Sequence, residues 1–406
     1  VSQAPQSHGI DLVRRLNTSL LLNILRTHSP QSRADLAKIT GLGRTTVSSL
    51  VDELLGRGLI HEMGLQPSGG GRPGTELGLN PNGGCAIGIE INTNFILVVL
   101  TDFVAQVRWH KRIDVDSNEP GRFIFVAESL IKEALDYNAR TERLNPLGIG
   151  VGVLGLVQAV TGELKLAPNL HWHNLPLQSM WQSRYGIPVF VENQATAAAL
   201  GEYYFGAAKD YSDTIFIDAS ALGIGAGIVL GGKLFKGSQG FAGEAGHMVI
   251  DPAGPQCACG NHGCWEAVLN SAAIVSQLCA HLERGEQSII FDLVQGKADN
   301  ISLETVQQAA DMNDPAAQAA LIEASRWMGF GLANLVNIFN PQLIILGGVL
   351  SQTIAPYLEI VKQSVWERAL APSVDGVEIK LSTLGTNACV MGTIAVVLDE
   401  ILREPV

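Results

Sequence analysis

Apolar positions recur at helical spacing through residues 11–27, at Leu12, Val13, Leu16, Leu20, Leu21, Ile24 and Leu25, and predict an amphipathic helix. Ser32, followed three positions later by Asp35, predicts a capping-box start to a second helix. That helix is short and ends at Gly41, a residue that accepts the left-handed closing turn. Val47, Leu50, Val51, Leu54 and Leu55 mark the buried face of a third helix, and its other face carries Arg44, Thr45, Thr46, Ser48 and Ser49. The run LIHEMG, PSGGGRPG, TELGL then reads strand, glycine loop, strand, with Arg72 at the loop tip and Pro73 stiffening it. After residue 81 the texture changes. Val-, Ile- and Gly-rich runs predict a hairpin at 85–90 and 95–101 and further buried strands at 147–153, 188–192, 214–218, 225–230 and 343–346. Helices are predicted at 123–139, 194–205, 315–339 and 388–403. This alternation comes in two halves, which implies a two-lobed α/β body around a cleft.

A chain of 406 residues exceeds one ordinary domain. The expected division is a head at 1–80, a first lobe at 81–193 and 383–406, and a second lobe at 194–382 with a metal site and dimerisation helices. No unbroken apolar run reaches the ~18 residues of a membrane span, and residues 1–15 lack the basic-then-apolar signal pattern. A cytoplasmic protein with reduced thiols is therefore expected. The net charge of −12 argues against a protein that coats nucleic acid, but the first 80 residues carry +2 and the rest −14. That contrast changes the reading of the head. Two short helices around a Gly turn, the second exposing Arg and small hydroxyls, match helix-turn-helix docking in a major groove. The glycine loop would be a wing, its Arg suited to a narrow minor groove. Candidate DNA contacts are Arg33, Arg44, Thr45, Thr46, Ser48, Ser49 and Arg72. A bundle that only dimerises, with GGGRPG as a linker, is the plainer alternative.

Candidate chemistry concentrates in GEAGHMVIDPAGPQCACGNHGCWE. Cys257, Cys259 and Cys264 form a CxC-x4-C pattern with His247 ten residues upstream, a closed set suited to structural Zn²⁺. His262 is a rival fourth ligand. Disulfides would leave one of the three cysteines unpaired. Cys85, Cys279 and Cys389 are isolated and are expected in the core. Glu244, three residues before His247 and so on the same helical face, and Glu266, two after Cys264, offer carboxylates to sugar hydroxyls. Solvated surface glutamates are the alternative. In VENQATAAALGE, Asn193 and Gln194 stand at the C-terminal end of a strand, where open α/β sheets place ligands. Gln194 has no proton-accepting pKa near neutrality and cannot act as a general base. A GxGxxG match at Gly150, Gly152 and Gly155 is read as a strand-to-loop turn, since no helix clearly follows it.

The stretches VENQATAAALGEYYFGAAK, GIGAGIVLGGKLFKGSQGFAGE and NPQLIILGGVLS, with the His–Cys cluster and the head, resemble the ROK family of repressors, open reading frames and kinases. The resemblance covers nearly the whole chain. It implies an actin-like (RNase H-like) two-lobed body, a sugar in the cleft, and, for the repressor members, an N-terminal winged helix-turn-helix domain. Kinase members have Asp directly after the strand-end Asn, where this chain has Gln194. They open with a glycine-containing phosphate loop, where this chain has Glu90-Ile91-Asn92-Thr93-Asn94, and their GTGIGAG loop reads ALGIGAG here, a hydroxyl having become Leu222. The positions that touch sugar in the family are largely kept at Asn193, Glu244, His247 and Glu266, with Gln194 still able to hydrogen-bond and Asn169 as a further candidate. FGAAK, GFAGEAGHM and CACGNHGCWE read most like xylose-operon repressors. The expected protein is a repressor of a carbohydrate operon, not an enzyme. It would be a homodimer or tetramer on operator DNA, released by xylose or a related sugar. An ATP-dependent sugar kinase with an accessory head and a repressor governed by a protein partner are the alternatives.

Overall fold

The computed structural model describes residues 6–65 and 74–403, so the glycine loop and Arg72 lie outside the described residues. The head consists of helices Gln6–His28, Arg33–Thr40 and Arg44–Gly56, followed by antiparallel strands Ile60–Leu65 and Thr75–Leu79. A two-residue strand, Gln31–Ser32, pairs with the far side of Thr75–Leu79. The expected capping box forms: the Ser32 hydroxyl accepts from the Asp35 N–H at 3.2 Å, and the Asp35 carboxylate accepts from the Ser32 N–H at 3.1 Å. Gly41, at φ 70°, closes the second helix by donating its N–H to the Ala37 carbonyl. Leu21, Leu22, Leu25, Leu36, Val47, Leu50, Val51, Leu54 and Leu77 are buried together. At ~1.5–3 kcal/mol for each large side chain, that face is what holds the 23-, 8- and 13-residue helices in place.

The chain divides into two compact units, residues 1–157 with 161–192 and 393–406, and residues 158–160 with 193–392. The head groups with the first α/β unit, and the chain returns to that unit at Thr393, ten residues later than the pattern placed it. Each unit holds a five-stranded sheet in the same order, its third, second, first, fourth and fifth strands side by side. In the first unit, Cys85–Ile91 pairs antiparallel with Phe95–Asp102, which pairs antiparallel with Val107–Asp114. On its other side Cys85–Ile91 pairs parallel with Pro146–Val153, and Val189–Asn193 lies next. In the second unit the meander is Thr214–Ala219, Ile224–Leu230 and Lys233–Leu234, with Leu343–Gly347 and Glu378–Leu381 added in parallel. Each meander is followed by a long helix, Pro120–Tyr137 and Pro315–Phe339 respectively. The buried strands and the long helices fall within a few residues of their expected places. The exposed edge strand Val107–Asp114 was not expected: Arg108, His110, Lys111 and Arg112 crowd it, as charges that guard a sheet edge do.

Helix Ala388–Arg403 corrects two expectations. Gly150 lies inside strand Pro146–Val153, where an added Cβ would come 2.1 Å from the Thr393 carbonyl oxygen. It is a helix-packing position, and only Gly155 lies at the turn. Gly385–Arg403 is also long and apolar enough, by length and composition, to cross a membrane, whereas no such run was expected. In the structure 67 % of its most apolar window is buried inside the protein, the pattern of a core helix.

Candidate functional site

The metal-ligating candidates meet because one loop is stitched to another by backbone bonds. Trp265 N–H donates to the Met248 carbonyl at 2.8 Å and Ile250 N–H to the Gly263 carbonyl at 2.9 Å, which brings the His247 segment beside Cys264. Cys257 N–H then donates to the Asn261 carbonyl and Gly260 N–H back to the Cys257 carbonyl, folding CACGN into a tight knuckle. Gly263 is obligatory there: φ is 65°, and an added Cβ would sit 1.5 Å from the Asp251 carbonyl oxygen. The ligand atoms of His247, Cys257, Cys259 and Cys264 all lie within 4.8 Å of one another, and His262 is not among them. Two edges of the group, Cys259 Sγ to Cys264 Sγ and Cys257 Sγ to His247 Nδ1, measure 3.7 Å. A tetrahedral ion with ~2.3 Å bonds to sulfur needs edges of about 3.8 Å, so the donor set fits Zn²⁺. All six cysteines are free thiols. An Asn261 backbone N–H holds the Cys259 thiol down, while burial pushes Cys257 and Cys264 up. A cation among the sulfurs would supply the charge that turns all three into thiolates.

His247 faces two ways. Its Nδ1 points to Cys257 and, at 3.5 Å, to Glu266 Oε1, while Nε2 points to Glu244 Oε2 at 3.9 Å. Glu244 stands at the head of a one-turn 3₁₀ helix, Ala245–His247, and not on an α-helical face; the neighbourhood is the expected one in a tighter form. Glu266 is presented by helix Trp265–Leu269, which is anchored by the fully buried Trp265 ring and its N–H bond to the Trp327 carbonyl at 3.0 Å. Cys257 Sγ donates to Glu266 Oε1 at 3.1 Å. Crowding raises the Glu244 carboxyl above its ordinary range, with His247 opposing and Glu266 reinforcing the shift. The arrangement is two carboxylates, Glu244 exposed on its turn and Glu266 mostly covered on its helix, set beside the Cys–His loop.

Helix Gln194–Phe205 packs against strand Ile224–Leu230 of the same unit, and glycine makes the approach possible. At Gly227 an added Cβ would lie 2.2 Å from the Ala195 carbonyl oxygen, and at Gly225 it would press on the Ala195 methyl at 3.1 Å. Asn193 caps that helix, its Oδ1 accepting from Ala195 N–H at 2.8 Å and Thr196 N–H at 3.3 Å. Gln194, the first helical residue, is 3 % exposed. Asn169 sits exposed in the turn Pro168–Leu170 of the first unit. Two residues in this region were not expected to bear on the site. Ser220 accepts from the Leu222 and Gly223 N–H groups at 3.3 and 3.1 Å, and Gly223 lies against Glu266.

In the head, Arg44, Thr45, Thr46 and Ser49 are exposed at the start of the third helix, and Ser48 is half-buried. Among the described residues no carboxylate pairs with Arg44. Arg33 is used differently from the expectation: it donates to the Ser48 carbonyl at 3.1 Å and to Asp52 at 2.7 Å, tying the second helix to the third.

A duplicated sheet of this order, with a Cys–His knuckle presenting carboxylates and a helix-turn-helix head in front, defines an actin-like α/β protein with an appended head. Residues 86–400 match the ROK family model, and the chain belongs to that family. It is 34% identical to the xylose repressor of Caldicellulosiruptor bescii over 97% of this chain and 98% of the relative. Among solved structures, a ROK family transcriptional regulator described as a homologue of the E. coli MLC protein superposes with a TM-score of 0.83. It is 29% identical, over 97% of this chain and 98% of that one. A ROK family glucokinase from Streptomyces griseus, in complex with glucose and AMPPNP, gives a TM-score of 0.66 at 29% identity. The match takes in 98% of the glucokinase but only 76% of this chain.

Proposed function

We propose that this protein is a sugar-responsive transcriptional repressor, a homodimer that binds operator DNA through its winged helix-turn-helix head and lets go when D-xylose or a related sugar binds the body. The observation that carries this reading is the side-chain inventory around helix Gln194–Phe205. Glu244, His247 and Glu266 keep donors and acceptors for hydroxyls, while a buried amide, Gln194, stands where a proton acceptor would be needed for phosphoryl transfer. Zn²⁺ held by His247, Cys257, Cys259 and Cys264 would supply rigidity to the loop, with no open position for water. Arg44, Thr45, Thr46 and Ser49 would read the major groove, Arg72 the minor groove, and Arg33 would hold the recognition helix at its angle. A cytoplasmic location follows from the operator. A tenfold to hundredfold loss of operator affinity requires coupling of only ~1.4–2.7 kcal/mol.

The test is selection of duplexes from a random pool by the purified protein, followed by mobility-shift titration with D-xylose, D-glucose and N-acetylglucosamine. Release by one sugar is expected. Enriched duplexes that stay bound at millimolar levels of every sugar would end the inducer reading in favour of a protein partner. The glucokinase likeness favours a second reading, ATP-dependent sugar phosphorylation, and ADP formation above background with any of these sugars would establish it.

A further inference from the structure

Alternate residues of the GIGAG run point to one side of the sheet, as strand geometry demands. Gly225 and Gly227 face helix Gln194–Phe205, but Gly223, one step earlier, faces something else. A Cβ added there would lie 2.7 Å from Glu266 Oε2, and no other atom than those of the Glu266 carboxyl comes within 4 Å. The same oxygen would lie 3.3 Å from a Cβ at Gly246, whose nearest neighbour is the Ile224 carbonyl oxygen at 2.2 Å. Glu266 is thus enclosed on the loop side by two glycines and on the other by Cys257 and His247.

The loop that supplies this wall is stiff. Ser220 N–H donates to the Gly223 carbonyl at 2.9 Å, and the Ser220 hydroxyl binds the Leu222 and Gly223 N–H groups. The Ala221 carbonyl accepts from Ser271 N–H at 3.2 Å, fastening the loop to the start of helix Ser271–Glu283, just beyond the short helix that carries Glu266. In this state the Leu222 and Gly223 amides are taken by Ser220 and are not offered to a phosphate. The loop offers a fixed surface to a carboxylate.

We propose that Gly223 is a positioning residue: the Ser220–Gly223 loop has become the wall that sets the Glu266 carboxylate for sugar, and the absence of a side chain at Gly223 fixes where that carboxylate lies. This rests on Glu266 being a sugar contact, as the preceding section proposes. It also predicts which change is silent for folding and loud for binding. In Gly223→Ala the new methyl meets only the far end of a flexible side chain, so the backbone keeps its place and the carboxylate moves.

The experiment is isothermal titration of the zinc-loaded protein with D-xylose, run as a cycle of Gly223→Ala and Glu266→Asp, with Glu266→Gln as reference. Gly223→Ala should weaken sugar binding at least tenfold, with melting midpoint, zinc content and sugar-free operator affinity unchanged. In the Glu266→Asp background, where the carboxylate is one methylene shorter and clears the methyl, adding Gly223→Ala should cost less than twofold. Equal losses in both backgrounds, or no loss in either, would overturn the positioning role. Normal sugar binding by Glu266→Gln would instead remove the functional reading beneath it.

Discussion

The first hairpins of the two α/β units share a backbone plan and differ in what they make room for. Each first strand ends on a carboxylate and an apolar residue, Glu90-Ile91 in one unit and Asp218-Ala219 in the other, and then turns through four residues. In both loops the first residue donates its N–H to the carbonyl of the fourth at 2.9 Å, Asn92 to Phe95 and Ser220 to Gly223. Its side chain also accepts loop N–H groups: Asn92 takes Thr93, while Ser220 takes Leu222 and Gly223. The loops diverge at the fourth position. Phe95 fills it in the first unit and is covered by the Arg112 guanidinium 3.8 Å above its ring. Gly223 leaves it open in the second, and the Glu266 carboxylate occupies the space. One fold element thus serves as a closed turn in one copy and as a surface against the Glu266 carboxylate in the other, and the deciding feature is a single side-chain volume.

The largest effect should come from removing what holds the second copy's neighbours. If the knuckle holds Zn²⁺ as proposed, Cys264→Ser removes one of its ligands and prolonged chelation removes the ion, loosening the loop beside Glu244 and Glu266. Losing a structural metal loop should cost the second unit about 3 kcal/mol or more, a fall in melting midpoint of roughly 10 °C. Xylose binding should disappear with it. Hydrogen exchange by mass spectrometry separates the two copies: protection should collapse across residues 243–269 and stay intact across 85–102. Uniform loss over both hairpins would break the comparison.

Next in size is Asp218. Burial pushes its carboxyl up to about 6. A raised carboxyl pKa means that the folded protein binds the extra proton, so this group's contribution favours folding most below about 4, falls as pH rises to about 6, and stays lower above that. Asp218→Asn should therefore stabilise the protein at pH 7.5 by up to ~3 kcal/mol, the equivalent of about two pKa units, and the gain should vanish near pH 4. Urea melts at the two pH values measure this. A gain that persists at pH 4 would mean that the amide finds new hydrogen bonds and that charge burial is not the cause.

Much of this was legible beforehand, and what was missed has a common physical source. Helices Gln194–Phe205, Pro315–Phe339 and Ala388–Arg403 were read to the residue, because each has a long apolar period and a clear cap or stop. The Cys–His cluster was legible because ligand spacing is itself a geometric statement. Strand Val107–Asp114 was not, since five of its eight residues are Arg, Lys, His or Asp and the buried-strand signal is absent. The pairing of Arg33 with Asp52 was not legible, because the partner is nineteen positions away. Ser220 and Gly223 escaped for another reason. Gly223 read as part of a phosphate loop and Ser220 as an ordinary loop residue, and only three-dimensional neighbours show what surrounds them.

A smaller effect should separate the two caps. Ser220→Ala releases two N–H groups and Asn92→Ala releases one, so losses of about 1–2 and about 0.5–1 kcal/mol are expected. Urea unfolding of the two variants ranks them, and a larger cost at Asn92 would show that the caps do not work alike.

The smallest expected effect is the most informative about function. Gln194→Asp restores a carboxylate at the start of helix Gln194–Phe205 and, if one residue separated this protein from a kinase, should create phosphoryl transfer. It should not. A general base contributes typically 10²–10⁴-fold, but only when the phosphoryl group is already held and its charge stabilised. Here several loop amides are already bonded internally in both hairpins, Asn92 N–H to the Phe95 carbonyl and Thr93 N–H to Asn92 in one, and the Leu222 and Gly223 N–H groups to Ser220 in the other. ADP formation by Gln194→Asp with Mg-ATP and xylose or glucose should stay at the background rate, while xylose binding persists within about tenfold of the parent. Adding Ser220→Gly to free two amides should still give nothing measurable, because the first hairpin remains closed by its own side chains. Turnover in the single variant would mean that the self-capped loops open for a nucleotide after all, and the two hairpins would then differ less than their side chains suggest.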